Sequence, residues 1–213
     1  MNMYFRKMLT ITTAAALCLS AAGCSSAQKA DEGRQETLED VQQEAGQDGE
    51  SGENTPQALE LGEFVMEDIE GKEYTREIFA DNELTMVNIF TTWCTPCINE
   101  IPDLEKLHVQ MKEQGVGVIG IVLDAVKEDG SRDEEAVEKA GLLAERTGAS
   151  YPFLIPDEGM LNGRLMGIEA VPETFFVNKD GNITGSTYSG SRSLEAWTEV
   201  VETELSRLQG EES

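Results

Sequence analysis

Met86-Val-Asn-Ile-Phe-Thr-Thr-Trp-Cys-Thr-Pro-Cys-Ile-Asn-Glu-Ile-Pro-Asp103 decides how this chain reads. It opens inside an apolar, partly β-branched run, Leu84 to Phe90, consistent with a buried central strand. A Thr-rich turn breaks that run, and Cys94 and Cys97 follow with two residues between them. The apolar spacing then becomes that of an amphipathic helix, predicted over Thr95 to Gln114. A turn of this kind delivers a thiol to the first turn of a helix. Unpaired backbone N–H groups and the positive end of the helix dipole favour the thiolate there, so Cys94 ionises more readily than in water. Cys97, one turn further on, is placed to attack a mixed disulfide formed on Cys94 and release the partner. Pro96 falls where its missing N–H costs little. The stretch reads as a thiol–disulfide site.

Three neighbours of the cysteines carry further expectations. On a helical wheel Glu100 lies between Leu107 and Met111, on the stripe that also holds Ile101, Leu104 and both cysteines. An acid on an apolar stripe is partly desolvated, with a raised pKa, and is suited to passing a proton to or from a thiol. The alternative is a solvated Glu on a helix edge. Trp93 reads as a flat, partner-facing surface beside Cys94, with an ordinary core Trp as the alternative. His108, the only histidine, falls on the inward side of the same helix. With no second metal-type residue near it, it reads as packing at the edge of the core.

Working outward, the chain divides in three. Residues 1–23 have the layout of a secretory leader, with Arg6 and Lys7 ahead of an apolar, small-residue stretch from Met8 to Ala22. That stretch is too short and too rich in Ala and Thr for a transmembrane span. It runs Ala21-Ala22-Gly23 into Cys24, which resembles a bacterial lipobox with Ala21 where Leu is usual. Cys24 is thus the expected lipidated N-terminus, with cleavage by ordinary signal peptidase as the alternative. Either way the protein works outside the cytoplasm. Residues 24–60 are dominated by Gln, Glu, Asp, Gly and Ser, and bury too little apolar surface to offset the entropy of ordering. They read as a disordered acidic tether, spanning roughly 30–35 Å as a flexible coil.

Residues 61–213 form the globular domain. Short strands are predicted at Glu63 to Glu67 and around Tyr74, then the central strand, the first helix and a second buried strand from Val116 to Leu123. Glu134 to Arg146 reads as a helix stopped by Gly148, Pro152 to Ile155 as a strand, and Gly159 to Met166 as a short helix. Thr174 to Val177 and Asn182 to Tyr188 flank Asn178-Lys179-Asp180-Gly181, a hairpin turn. Ser193 caps a last helix ending at Leu208.

Trp-Cys-Thr-Pro-Cys after Val-Asn-Ile-Phe, with Glu100 three residues past the second cysteine, resembles the thioredoxin superfamily and, more narrowly, its TlpA/ResA branch of membrane-anchored disulfide reductases. Asn88 stands where ordinary thioredoxins carry a buried Asp, as is common in that branch. Val171-Pro172-Glu173-Thr174-Phe175 resembles the second signature of the fold, with a cis-proline beside the dithiol, and is similar to the cytochrome c maturation thioredoxins. The resemblance implies a thioredoxin-like α/β fold: a central mixed sheet flanked by helices, with Glu134 to Met166 as the helical insertion of TlpA/ResA-like domains. It implies that Cys94 attacks, Cys97 resolves, Glu100 assists proton transfer, and Trp93, Thr95, Pro96, Val171 and Pro172 meet the partner. It implies no cofactor beyond a redox-active Cys94–Cys97 disulfide. Electrons would come from a membrane thiol donor of the CcdA type and go to exported disulfide clients. Apocytochrome c and an extracellular methionine sulfoxide reductase are candidates, met at the outer face of a bacterial cell membrane.

The same residues argue against other functions. A net charge of -25 over 213 residues leaves nothing basic enough to neutralise phosphates, so no nucleic-acid partner is expected. Of four cysteines, Cys18 lies in the leader and Cys24 at its end, and only Cys94 and Cys97 fall in the globular part, so no structural disulfide framework is on offer. One Cys-x-x-Cys and a distant His fall short of a structural zinc site. A Sco-type copper chaperone would show Cys-x-x-x-Cys, and a peroxiredoxin a Pro-x-x-x-Thr-x-x lead to a single cysteine. A non-catalytic or oxidising thioredoxin-fold lipoprotein that binds an exported partner remains the alternative.

Overall fold

The computed structural model describes residues 61–211, so the leader, Cys24 and the tether lie outside the described residues. Along the chain the elements are β1 (Val65–Asp68), β2 (Glu73–Thr75), β3 (Leu84–Phe90), α1 (Thr95–Met111), β4 (Val116–Val122), α2 (Glu134–Thr147), β5 (Phe153–Ile155), α3 (Glu158–Asn162), β6 (Glu173–Asn178), β7 (Ile183–Ser189) and α4 (Leu194–Glu211). The strands form one seven-stranded sheet in the order β2-β1-β5-β4-β3-β6-β7. β4 runs parallel to both β3 and β5, while β6 is antiparallel to β3. This is the mixed, thioredoxin-like sheet expected from the sequence.

Every residue of β3 and β4 is buried, which is why both read as largely apolar runs rather than alternating ones, with Thr85 and Asn88 the polar residues of β3. Leu84, Met86 and Phe90 face a core shared with Leu104 and Leu107 of α1 and Trp197 and Val201 of α4. Val87 and Ile89 face the opposite layer, with Phe64, Phe79, Ile119 and Phe175. Each such side chain, fully buried, contributes about 1.5–3 kcal/mol against exposure. At Gly120 a Cβ would lie 3.0 Å from the rings of both Phe90 and Phe153, so any larger residue would make that aromatic pair give way over β4.

Several boundaries differ from expectation. The first strand spans Val65–Asp68 rather than Glu63 to Glu67, with the Val65 amide donating to Asp157 at 3.0 Å. α1 ends at Met111, because Lys112–Gln114 tighten into a 3₁₀ turn. It runs on through Pro102, inside the helix. β4 stops at Val122, where Leu123–Ala125 turn, and β5 begins at Phe153. α2 extends one residue further, to Thr147, and Gly148 ends it in the left-handed conformation, its N–H donating to the Ala144 carbonyl.

The largest correction falls between Gly159 and Met166. The helix there is α3, Glu158–Asn162, begun by Asp157, whose carboxylate accepts from the Met160 amide at 2.8 Å, and ended at Gly163. The following residues form hydrogen-bonded turns instead. The insertion is also not only helical. It threads β5 into the sheet between β4 and β1, so the N-terminal hairpin extends the sheet through it. α4 continues past Leu208 to Glu211.

Candidate active site

The C-terminal ends of the parallel strands β3 and β4 lie side by side and set the position of the dithiol. The turn that follows β3 is held by Asp124, just beyond β4. Its carboxylate accepts from the Thr92 amide at 3.0 and 3.1 Å and from the Thr92 hydroxyl at 2.7 Å. The Cys94 amide donates to the Thr91 carbonyl at 3.2 Å. Cys94 is therefore the N-cap of α1 rather than a residue of its first turn. Its extended backbone turns the sulfur back over the helix end, where the Cys97 amide donates to Sγ at 3.3 Å. That amide and the dipole behind it both stabilise negative charge on Cys94. Pro96 sits in the first turn, as expected. Cys94 and Cys97 are joined as a disulfide, with Cα atoms 5.3 Å apart. Cys97 is the deeper of the two, at 1% exposure against 5%.

The Val171–Pro172 bond is cis, Pro172 is buried, and the Val171 carbonyl lies 3.7 Å from Cys94 Sγ. Beside this contact runs an open groove of about 470 Å³. Its walls are Thr91, Trp93, Cys94, Thr95 and Pro96 on one side, and Leu123, Ile168, Glu169, Ala170 and Val171 on the other. Trp93 is 71% exposed, so it is a surface ring and not a core one. Thr95 and Pro96 are exposed as well. The loop that supplies the second wall is pinned from below. Arg164 pairs with Glu173 at 2.9 Å and stacks over Phe175 at 4.2 Å.

Glu100 is buried among the apolar residues of α1. Its Oε1 accepts from the indole N–H of Trp197 and from the Arg192 amide at 3.4 Å. Oε2 is buried with no hydrogen-bond partner among the described residues. Desolvation raises the carboxyl from 4.5 to about 7, against the opposing pull of the Trp197 N–H and of the Arg192 amide and charge. Asn88 lies beneath α1 and donates to Thr174 Oγ1 at 3.0 Å, tying β3 to β6 without an ionisable group. His108 is half-buried with its ring against Tyr151, and burial lowers its pKa.

The structure thus brings Trp93, Cys94, Thr95, Pro96 and Val171 to one groove, while Cys97, Glu100 and Pro172 are buried and do not line it. Sequence reasoning missed Trp197 and Arg192 on Glu100, Thr174 on Asn88, and Asp124 on Thr92. Each is separated from its partner by more than thirty residues, and a Trp on the apolar stripe of a helix looks like any other core Trp. Among the described residues no cluster of His, Cys, Asp and Glu could hold a metal ion.

Fold and dithiol together define a thioredoxin-like thiol–disulfide oxidoreductase. The chain is 31% identical over 144 residues to the thiol-disulfide oxidoreductase ResA of Halalkalibacterium halodurans, covering 66% of this chain and 74% of that protein. It is 30% identical over 132 residues to the thiol:disulfide interchange protein DsbE of Haemophilus influenzae, covering 62% and 65%. A thioredoxin-family thiol:disulfide interchange protein of Chlorobium tepidum shares the fold, with a TM-score of 0.57 at 22% identity over 70% of this chain and 97% of that one. The model of the AhpC/TSA family matches residues 59–186, and the chain belongs to that family, on its TlpA/ResA-like branch.

Proposed function

We propose that this protein reduces disulfides of exported proteins at the outer face of a bacterial cell membrane, held there by a lipid on Cys24 and the tether of residues 24–60. The observation that carries the catalytic part is the N-cap position of Cys94, with the Cys97 amide on its sulfur and Glu100 buried one turn behind. In the reduced protein the Cys94 thiolate attacks one sulfur of the client disulfide. That S–S bond breaks, a mixed disulfide forms on Cys94, and the first client thiolate leaves and takes a proton from water. Cys97 then gives its proton to the Glu100 carboxylate and attacks Cys94 Sγ. The Cys94–Cys97 disulfide forms and the second client thiolate departs. The client has gained two electrons and the dithiol has lost them. A membrane thiol donor of the CcdA type returns them, and Glu100 gives its proton back to Cys97 as the disulfide opens.

Trp93, Thr95, Pro96 and Val171 supply the surface on which the client backbone lies, with Pro172 holding Val171 beside the sulfur. Apocytochrome c and an extracellular methionine sulfoxide reductase fit the requirement for an exported disulfide. Trapping tests this reading. A Cys97→Ala variant keeps the attacking thiol and loses the means of release, so it accumulates in cells as a mixed disulfide with its client, which mass spectrometry then identifies. Cys94→Ala traps far less. Equal trapping by the two variants overturns the assigned order, and no adduct from either favours a non-catalytic binder.

A further inference from the structure

We infer that Trp197 and Arg192 are positioning residues for the thiol chemistry: they tie down Oε1 of Glu100 and leave Oε2 as the oxygen that exchanges protons with the dithiol. This rests on the proton-transfer role proposed above for Glu100. It concerns two residues that lie 92 and 97 positions beyond Glu100 along the chain.

The geometry is that of a clamp. Trp197 is fully buried, and its indole N–H is a single donor with one fixed direction, aimed at Oε1. The Arg192 amide reaches the same oxygen. The Arg192 guanidinium lies over the Trp197 ring at 4.8 Å and the Tyr188 ring at 5.1 Å, and donates to the carbonyls of Ser189 and Gly190 at 3.3 and 2.9 Å. It therefore pins the loop between β7 and α4 onto the indole. One turn along α1, Asp103 accepts from the Leu194 amide at 3.3 Å, so two carboxylates of α1 seat the start of α4. Both donors to Glu100 converge on one oxygen, while the other is buried with no hydrogen-bond partner among the described residues. An unclamped carboxyl would rotate and present either oxygen.

The charged and titratable groups facing Glu100 come from every neighbouring element: Asp103 on α1 itself, Arg192 before α4, Tyr188 on β7 behind the indole, and Tyr151 before β5. Burial pushes the pKa of both tyrosines up, so neither competes for the proton at neutral pH. What remains adjustable is the pair of donors on Oε1, both of which favour the ionised form.

The test is Trp197→Phe, which keeps an aromatic ring in the core and removes the N–H. In the oxidised protein, the Glu100 carboxyl carbon followed by NMR titrates about one pH unit higher than in wild type. In the reduced protein, the inflection in the Cys94 alkylation rate moves up with it. Arg192→Met leaves the backbone amide on Oε1 but removes the guanidinium that pins the loop and carries the nearby charge, so it moves both in the same direction by a smaller, at least twofold, change in apparent ionisation constant. It serves alone if Trp197→Phe does not fold. In a Glu100→Gln background neither substitution moves the alkylation profile. Midpoints unchanged in a folded variant, or a shift that persists in the Glu100→Gln background, overturn the clamp. If Glu100→Gln by itself leaves the alkylation profile of wild type unaltered, the role of Glu100 fails and the clamp fails with it. If Glu100→Gln alters the profile but the clamp variants do not, only the clamp fails.

Discussion

Replacing Glu100 by Gln keeps the length and planar end of the side chain, and the remaining oxygen still accepts the Trp197 N–H, so the change is chiefly the loss of a charge in a dry place. Its magnitude follows from the carboxyl's displacement. In the unfolded chain it titrates near 4.5, and in the folded protein burial raises this to about 7. At about 1.4 kcal/mol per pH unit, the ionised form destabilises the fold by about 3 kcal/mol relative to the neutral one. The native state holds the proton more tightly than the unfolded one, so this contribution is fully present below pH 4.5 and is lost as pH rises through 7. Wild type should therefore lose about 3 kcal/mol relative to Glu100→Gln between pH 4 and pH 8. Other carboxylates titrate in both proteins and cancel in the difference. The assay is denaturant unfolding of the two oxidised proteins across that range, with the disulfide intact so that no thiol titrates. Stabilities that run parallel within about 0.5 kcal/mol would refute the argument, because a buried carboxyl that ionises at no cost is not desolvated.

Two further outcomes are expected. Cys24→Ala should abolish lipid attachment and release the protein from membranes; processing and membrane partition identical to wild type would contradict the anchor. The Cys94–Cys97 couple, equilibrated against glutathione, should fall at about -200 to -300 mV, the range that holds the glutaredoxins and thioredoxin. A value near about -120 mV, that of a strong oxidant, would reverse the proposed direction of electron flow while leaving the site as described.

Much of the site was legible in local sequence because its parts are local. The apolar run of β3, the Thr-rich turn, the two cysteines and the helical spacing of Glu100 all lie between Leu84 and Asp103, where strand and helix periodicity speak directly. The same holds for Gly148 as a helix stop and for Asn178 to Gly181 as a hairpin turn, whose chemistry sits in a few adjacent residues. The helix expected over Gly159 to Met166 begins as expected but stops at Asn162. Its apolar residues suit a helix, but Gly163 closes α3 in a position where a Cβ would lie 2.8 Å from the Gly159 carbonyl, and tertiary packing holds the rest as turns.

Sequence by itself determined the class of chemistry, since two thiols at the start of a helix and an acid one turn on need only the period of that helix to be placed together. Tertiary structure alone decided which groups surround that acid. Hydrogen-bond donors on Glu100 come from Arg192 and Trp197, and the carboxylate that holds Thr92 comes from Asp124. Those contacts are set by strand order and by the docking of α4 on α1, and the physical reason they escape a linear reading is desolvation. The apolar stripe of α1 predicts that the Glu100 carboxyl is raised, but how far, to about 7, is the sum of everything that excludes water from it, and that sum has no sequence period.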